Sequence, residues 1–572
     1  IMGVFMTEAF RLGEQAVGPF QQIGHPQHLS QSDRLQKQFY QVGEHTYCYV
    51  GNGLSNQTFV IAPEGIIAID TGECIEEMTA AISALRQHTP APIVACIYSH
   101  FHYVAGTAAI VADRGDDDFP IYGHSGIAAN LARFGGEVGP RGSRGMVHQF
   151  AMQLPEQGPD GLINIGLGLF YRNPEHAPYT PGHMPVTHGV DAATRIEIAG
   201  LPVEFLLAPS DATDSVTIHF PTLDLAINNI FWPVLFNVFA IRGEEYRDPR
   251  ELLKGLDELA SLEVAHQVCT HGPPMSGRTE IKQAIERYRD SLQFIWDQTV
   301  RHANQGFSLD EMIHRIKLPA LYENDFHTQQ LYGVVEHHIR QVYTGLFGWF
   351  DEDPAKLFPE VPAARSQKMI AAMGGAQAVR TLIDQALDAD DLRWALELAQ
   401  LMVVHSESAP GSEDHHRLAG VLRQLAYSSP AANVRNWCLT RALELEAAID
   451  LSRFRVHRFR EPEILATSGA RWVSILRVLL NADRLGDISG SIGFSFDDGS
   501  SAGLIIRHGV AVPVAAEICE STLTLELSVW AKLLACKVNL SEVLSQQSGL
   551  DQGSLERVRR LLAHFDVASF QQ

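Results

Sequence analysis

Between Thr58 and Gly106 the chain reads strand, turn, strand, helix, strand, and then a loop carrying two histidines. The apolar runs are TFVIA at Thr58–Ala62 and GIIAID at Gly65–Asp70, followed by a helix-like stretch over Cys74–His88 and by APIVACIY at Ala91–Tyr98. Two short apolar strands joined through a helix call for a sheet covered on its faces by helices, an α/β arrangement. Directly after the last strand comes Ser99-His100-Phe101-His102. Histidines two apart on a loop at a strand end can both point into one cleft and offer imidazole nitrogens to a metal ion. Asp70 lies at another strand end, which strengthens the reading of the two histidines as a metal site.

A chain of 572 residues is too long for one core and is expected to fold as several domains. The α/β pattern runs to about residue 275, interrupted between Gly135 and His188 by a stretch rich in Gly, Pro and His that reads as a long irregular insertion. Helical patterns follow at Ile281–His302, Gln329–Phe347, Ala376–Val404 (broken near Asp388–Asp391), His415–Ala426 and Ala431–Leu445. The last segment has alternating strands at Ser491–Phe496 and Ala502–His508 and an amphipathic helix over Ser528–Leu544, which makes a small α+β domain. In it Ile492, Phe494, Phe496, Leu504 and Ile506 either line an apolar cavity or form a closed core.

The formal charge of −23 argues against nucleic-acid partners and against docking on anionic membranes. No apolar run reaches the roughly 18 residues of a membrane span, so integral membrane association is not expected. The first twenty residues lack the features of a secretory signal, and the seven cysteines are scattered with no C-x-x-C. Reduced thiols and a cytoplasmic location are the corresponding expectations.

The order GLSNQTFVIAPEGIIAIDTG, a helix, then PIVACIYSHFHYVAG resembles the start of the metallo-β-lactamase fold in type III alkyl sulfatases, whose motif at this loop is T-H-S-H-x-D-H-x-G-G. The likeness continues through LLAPSDATDSVTIHFP, FNVFAIRGEEYRD, VCTHGPP, WFDEDPAKLFP and LRWALELAQLMV, and so covers nearly the whole chain from about residue 35. It implies an N-terminal extension over 1–34 and an αββα catalytic sandwich over 35–320. An all-α dimerisation domain over 321–450 and a sterol-carrier-protein-like α+β domain over 451–572 follow, with a homodimer as the assembly.

The resemblance also implies a metal site, of which half is altered. His100 and His102 keep the motif's first two histidines, while Val104 and Ala105 stand where the family has aspartate and histidine. The first glutamate of the family's T-E-A-P-A-E-M segment falls on Asp211, with Asp214 close enough in sequence to replace it. The bridging glutamate falls on Asn229, the late histidine on His271, and the sulfate-contacting arginine on Arg242. Arg242 either contacts an anion or pairs with Glu244 or Asp248. His183 and His188 read as exposed loop residues. Val and Ala have no lone pairs to give a metal and Asn is a poor bridge, so one divalent ion per chain, Zn²⁺ or Fe²⁺, is expected on His100, His102 and Asp211.

The function expected on this basis is a mononuclear metal-dependent enzyme acting on an amphiphilic or apolar small molecule, most simply by hydrolysis. Asn229, Arg242 and His271 would be its catalytic residues, and efficient sulfatase chemistry would have been given up with the metal pair. A two-histidine, one-carboxylate face also serves non-haem Fe(II) oxygenases, and a catalytically silent binding or scaffold protein is the third reading.

Overall fold

The structure is a computed structural model and describes residues 13–134, 136–406 and 411–571. The first twelve residues of the N-terminal extension, Gly135 at the head of the insertion, and residues 407–410 lie outside the described residues. The chain divides into two compact units, one joining residues up to Ala132 with Arg144–Asp450 and the other joining Arg133–Ser143 with the chain from Leu451 onward.

Besides the short pair Ala16–Val17 and Ile23–Gly24, the larger unit holds two large sheets whose strands lie in chain order. One has seven strands, Gln38–Val42, Thr46–Val50, Gln57–Ala62, Gly65–Ile69, Ile93–Ile97, Ile121–Gly123 and His188–Gly189. It is antiparallel up to Gly65–Ile69 and parallel beyond. The other has six strands, from Thr194–Ile198 to Met275–Ser276, with one parallel pairing between Leu225–Asn228 and His266–Cys269.

The inner faces meet in one core, where Val60, Ile67, Ile69, Ala95 and Ile97 pack with Val203, Phe205, Val216, Ile218, Ile227 and Val268. Period-2 alternation places Ile66, Ala68 and Cys96 on the opposite face, under Met78, Ala81, Ile82 and Leu85 of the helix Ile75–Leu85. The outer face of the second sheet is covered by the helices Pro249–Ser261 and Arg278–Asn304 through Leu252, Leu256, Leu259, Ile281 and Ile285. Helix, sheet, sheet, helix is the αββα sandwich of the metallo-β-lactamase fold.

The irregular insertion is corrected at its start, because Gly139–Gln149 is a helix. Its glycines weaken helix propensity, and packing overrides them. Gly145 is buried against the chain at Arg242, where a Cβ would come within 2.0 Å of the Arg242 carbonyl oxygen. The expected helix Gln329–Phe347 begins only at Val335. The break near Asp388–Asp391 separates Ala376–Asp388 from Leu392–Ser406, with Asp390 at a positive φ of 58°. Those helices, with Glu413–Ser428 and Ala432–Leu445, share a core of Ile383, Leu398, Met402, Leu418, Leu422 and Leu439.

The smaller unit carries a four-stranded sheet in the order Val510–Val514, Ser501–Arg507, Gly490–Phe496, Thr522–Leu525. The helix expected over Ser528–Leu544 is two helices, Leu527–Leu534 and Leu540–Ser545, divided where Cys536 takes φ 57°. Ile492, Phe494, Phe496, Leu504 and Ile506 are all buried. Their space is filled by Trp530, whose ring lies 5.1 Å from Phe494 and 5.8 Å from Phe496. These residues form a packed core.

Candidate metal centre

The parallel strands Gly65–Ile69 and Ile93–Ile97 end side by side, so Asp70 and Ser99 meet at their carboxyl ends, where open α/β sheets place their ligands. Ser99 donates twice to Asp70, from its backbone N–H to Oδ1 at 2.8 Å and from Oγ to Oδ2 at 2.7 Å. With its own proton committed, Ser99 Oγ accepts from His100 Nδ1 at 2.8 Å. The relay fixes the tautomer of His100 and leaves a lone pair on Nε2, which is buried with no hydrogen-bond partner. Asp70 holds this geometry at φ 55°, a strained conformation for a residue with a side chain, at a cost of ~1–3 kcal/mol. Burial pushes the Asp70 carboxyl up to about 7 and the His100 imidazole down to about 3, so His100 is neutral, the form a metal ligand needs.

His102 sits on the single turn Phe101–Tyr103, its ring 5.0 Å from that of His100 and inclined at 80°. Its Nδ1 is 3.4 Å from Asp211 Oδ2, which arrives on the loop after the strand Leu201–Leu207. One ligand atom each from His100, His102 and Asp211 lies within 4.8 Å of the others. Burial favours a neutral Asp211, but the His102 and His100 imidazoles and the Arg247 guanidinium outweigh it and hold the carboxylate well below its usual range. A buried, unpartnered imidazole nitrogen aimed at a second imidazole and an ionised carboxylate is a donor set that fits one divalent cation.

Asn229, at the end of the strand Leu225–Asn228, is occupied with this carboxylate. Its Nδ2 donates to Asp211 Oδ1 at 2.7 Å and to Ser210 Oγ at 3.0 Å, and its Oδ1 accepts from Trp232 Nε1 at 3.3 Å. The amide positions Asp211 and presents no carboxylate to a metal.

The other half of the site does not fit a second metal. Val104 is buried and pairs with Gly72, and Ala105 donates its backbone N–H to the Gly72 carbonyl. Gly106 is required in this loop, since a Cβ there would lie 2.1 Å from the Thr71 carbonyl oxygen. His271 reaches the Leu54 carbonyl through Nδ1 at 3.1 Å and the Tyr103 hydroxyl through Nε2 at 3.4 Å. Burial pushes its imidazole down to about 4.

Arg242 is buried and makes an ion pair with Glu244, as one of the two sequence readings allows, while Asp248 instead caps the helix Pro249–Ser261. Arg242 also donates to the Tyr332 hydroxyl at 3.3 Å and lies 5.2 Å over the Phe150 ring. Arg247 pairs with the other oxygen of Glu244, so two guanidinium groups share one carboxylate, and both couple to the Asp211 charge. His183 and His188 are exposed and outside the cluster, and the carboxylate that reaches the imidazoles is that of Asp211 and not Asp214.

Ser99, Tyr103, Glu73, Arg247 and Tyr332 belong to this site and were not singled out from the sequence. Ser99 and Tyr103 lie inside the histidine motif and could have been found from it. Glu73 follows Asp70 by three residues, is half-buried beside Glu77 and 3.6 Å from Arg172, and has a carboxyl pushed up to about 8 by desolvation and by the Glu77 charge.

Comparison with known proteins adds four findings. Residues 308–448 match the alkyl sulfatase dimerisation family. The chain is 31% identical over 513 residues to a linear primary-alkylsulfatase of a Pseudomonas species, covering 86% of this chain and 93% of the relative. It is 26% identical over 514 residues to an (R)-specific secondary-alkylsulfatase, also from Pseudomonas, covering 86% and 75%. The solved structure of a stereoselective inverting sec-alkylsulfatase from Pseudomonas shares the fold with a TM-score of 0.81 at 22% identity, over 98% of this chain and 92% of that one.

Proposed function

The chain belongs to the metallo-β-lactamase-fold alkylsulfatase family, and from that premise we propose that it is a one-metal hydrolase of amphiphilic alkyl sulfate esters. The observation that carries the reading is the buried, unpartnered His100 Nε2, aimed at His102 and Asp211 beside the positively charged Arg242–Glu244–Arg247 group. An amphiphile with an anionic head suits that combination of charge and aromatic wall.

His100, His102 and Asp211 would hold a divalent ion, which would supply positive charge toward a sulfate oxygen and lower the pKa of nearby water. The chain's own groups do the rest. Arg242 and Arg247, which share Glu244, place two guanidinium groups beside the site where an anionic head would bind. Asp70 and Ser99 hold His100, Asn229 holds Asp211, and Trp232, Tyr332 and Phe150 wall the site against bulk water. Because one ion does what two do in the family's motif, turnover is expected to be slow and not abolished. That revises the expectation that the sulfatase chemistry has been given up.

The oxygenase and scaffold readings are set aside, since the relatives named above are all sulfatases. We take the ion to be zinc. We further propose the domain division 35–320, 321–450 and 451–572 with a homodimer built on the middle domain, and a cytoplasmic location in keeping with seven free cysteines. Among the described residues no helix is long and apolar enough to cross a membrane.

The test is metal analysis of the purified protein together with release of inorganic sulfate from sodium dodecyl sulfate. One equivalent of zinc and metal-dependent sulfate release are expected. Two tightly bound ions, or iron with oxygen consumption, would overturn the reading.

A further inference from the structure

Tyr103 has no counterpart among the metal-ligating positions of the family motif, falling at the unspecified residue between the second histidine and the missing aspartate. Its backbone is pinned by Thr71, whose N–H donates to the Tyr103 carbonyl at 2.8 Å. Its ring stands edge-on to His100 at 5.1 Å and to His271 at 5.5 Å, and the residue is 5% exposed. The phenol thus lies between the retained imidazole of the first half-site and the surviving imidazole of the second.

The proton positions follow from the partners. His271 Nδ1 faces the Leu54 carbonyl, which can only accept, so Nδ1 carries the proton and Nε2 carries the lone pair. The atom 3.4 Å from Nε2 is the Tyr103 oxygen, whose O–H therefore donates. The contact is long, as such bonds often are without substrate. A metal ion on His271 would require the same Nε2 lone pair, so the hydroxyl and a second ion exclude each other.

Resting on the one-metal reading above, we propose that the Tyr103 hydroxyl, anchored on His271, occupies the position of the second metal and is a catalytic residue. With its proton given to His271, the phenol oxygen keeps lone pairs that accept a hydrogen bond from the attacking water and orient it. No bond of the protein is made or broken in this role. The loss of the second ion is then enforced by a group present at its position as well as by the side chains missing from Val104 and Ala105.

Zinc binding tests the exclusion without reference to activity. Val104→Asp/Ala105→His restores two lost ligands, and the same pair of changes combined with Tyr103→Phe also frees His271 Nε2. Zinc titration of the two variants is expected to show a second zinc bound about five- to tenfold more tightly when residue 103 is Phe, the factor a competing hydrogen bond supplies. No gain from Tyr103→Phe, whether both variants bind equally or neither binds, overturns the proposal.

The single Tyr103→Phe variant keeps the ring and its contacts. It is expected to retain one zinc and the wild-type melting temperature while kcat on sodium dodecyl sulfate falls at least about tenfold with KM little changed. An unchanged kcat removes the catalytic role. If the wild-type protein released no sulfate at all, the proposed function would fail and the zinc titrations would still decide what holds the second position.

Discussion

Asn229 Nδ2 lies 2.7 Å from Asp211 Oδ1, so an amide restrains the carboxylate that completes the cluster with His100 and His102. By the resemblance Asn229 falls where the family's motif has a bridging glutamate, and its amide holds Asp211 in place. Replacing it by leucine leaves Asp211 with Ser210 as its remaining partner on that oxygen, while the Trp232 indole N–H keeps the backbone carbonyl of residue 229 at 3.2 Å. Zinc affinity is expected to fall about tenfold, the lower end for loss of a group that orients a ligand. Competition with a chromophoric chelator measures it, and an unchanged affinity would show that Asp211 needs no such support.

A parallel expectation attaches to Asp70. Asp70→Asn keeps the shape but cannot accept from both Ser99 donors, since one oxygen has become an N–H₂ group. Ser99 then no longer fixes His100 with Nε2 toward the cluster. Zinc affinity should drop about 10–100-fold while the far-UV circular dichroism stays unchanged. The same loss is expected for Ser99→Ala, and additivity between the two would argue against a single relay.

What was legible beforehand follows from locality. Asp70, His100 and His102 lie at strand ends within one β-α-β stretch, and hydrophobic periodicity alone places them together. Asp211, Asn229, Arg242 and His271 were reached only through the family resemblance, because what joins them is the stacking of two sheets. Whether Arg242 meets an anion or Glu244 depended on the path of the loop between them. Tyr103 lies inside the histidine motif, but its contact is not local, since its partner His271 lies 168 residues away. The glycine-rich helix Gly139–Gln149 was missed because its stability comes from tertiary packing at Gly145 and Phe150 and not from its own residues.

Glu73 and Glu77 make the protein alkali-sensitive. Burial raises both carboxyls, to about 8 and about 7, and Asp70 also to about 7. In the unfolded chain these groups titrate near 4, so between those values the native state holds more protons than the unfolded state. Stability from them is therefore full below about pH 4 and lost as pH rises through 7 to 8. Above pH 6.5 the buried histidines are neutral in the native state and largely neutral in the unfolded one, so they offset little of the loss. Urea unfolding of the metal-free protein should show ~1–3 kcal/mol less stability at pH 8 than at pH 6.5. Glu73→Gln/Glu77→Gln should flatten most of that slope. A slope equal to that of the wild type would mean the two carboxyls are ionised well below neutrality.

The last expectation concerns assembly. In the segment 347–361 the apolar side chains Phe347, Trp349, Leu357, Phe358 and Val361 are all exposed in the single chain, Phe358 at 92% and Trp349 at 65%. The segment lies inside 308–448, the part that matches the alkyl sulfatase dimerisation family. Single exposed apolar residues are ordinary on a protein surface, but five in one short segment are not, and such clusters mark interfaces. Each large side chain fully buried against a partner contributes ~1.5–3 kcal/mol, and two-fold symmetry uses every one twice. We expect light scattering at micromolar concentration to give twice the chain mass of 63.1 kDa. Trp349→Asp/Phe358→Asp places unpaired carboxylates in that interface and should weaken the dimer at least about 100-fold, enough to yield monomer at the same concentration. Both changes are at the surface of the isolated chain, so metal content should stay at one equivalent. A monomeric wild-type protein, or a double variant that remains fully dimeric, would place the contact surface elsewhere or remove it.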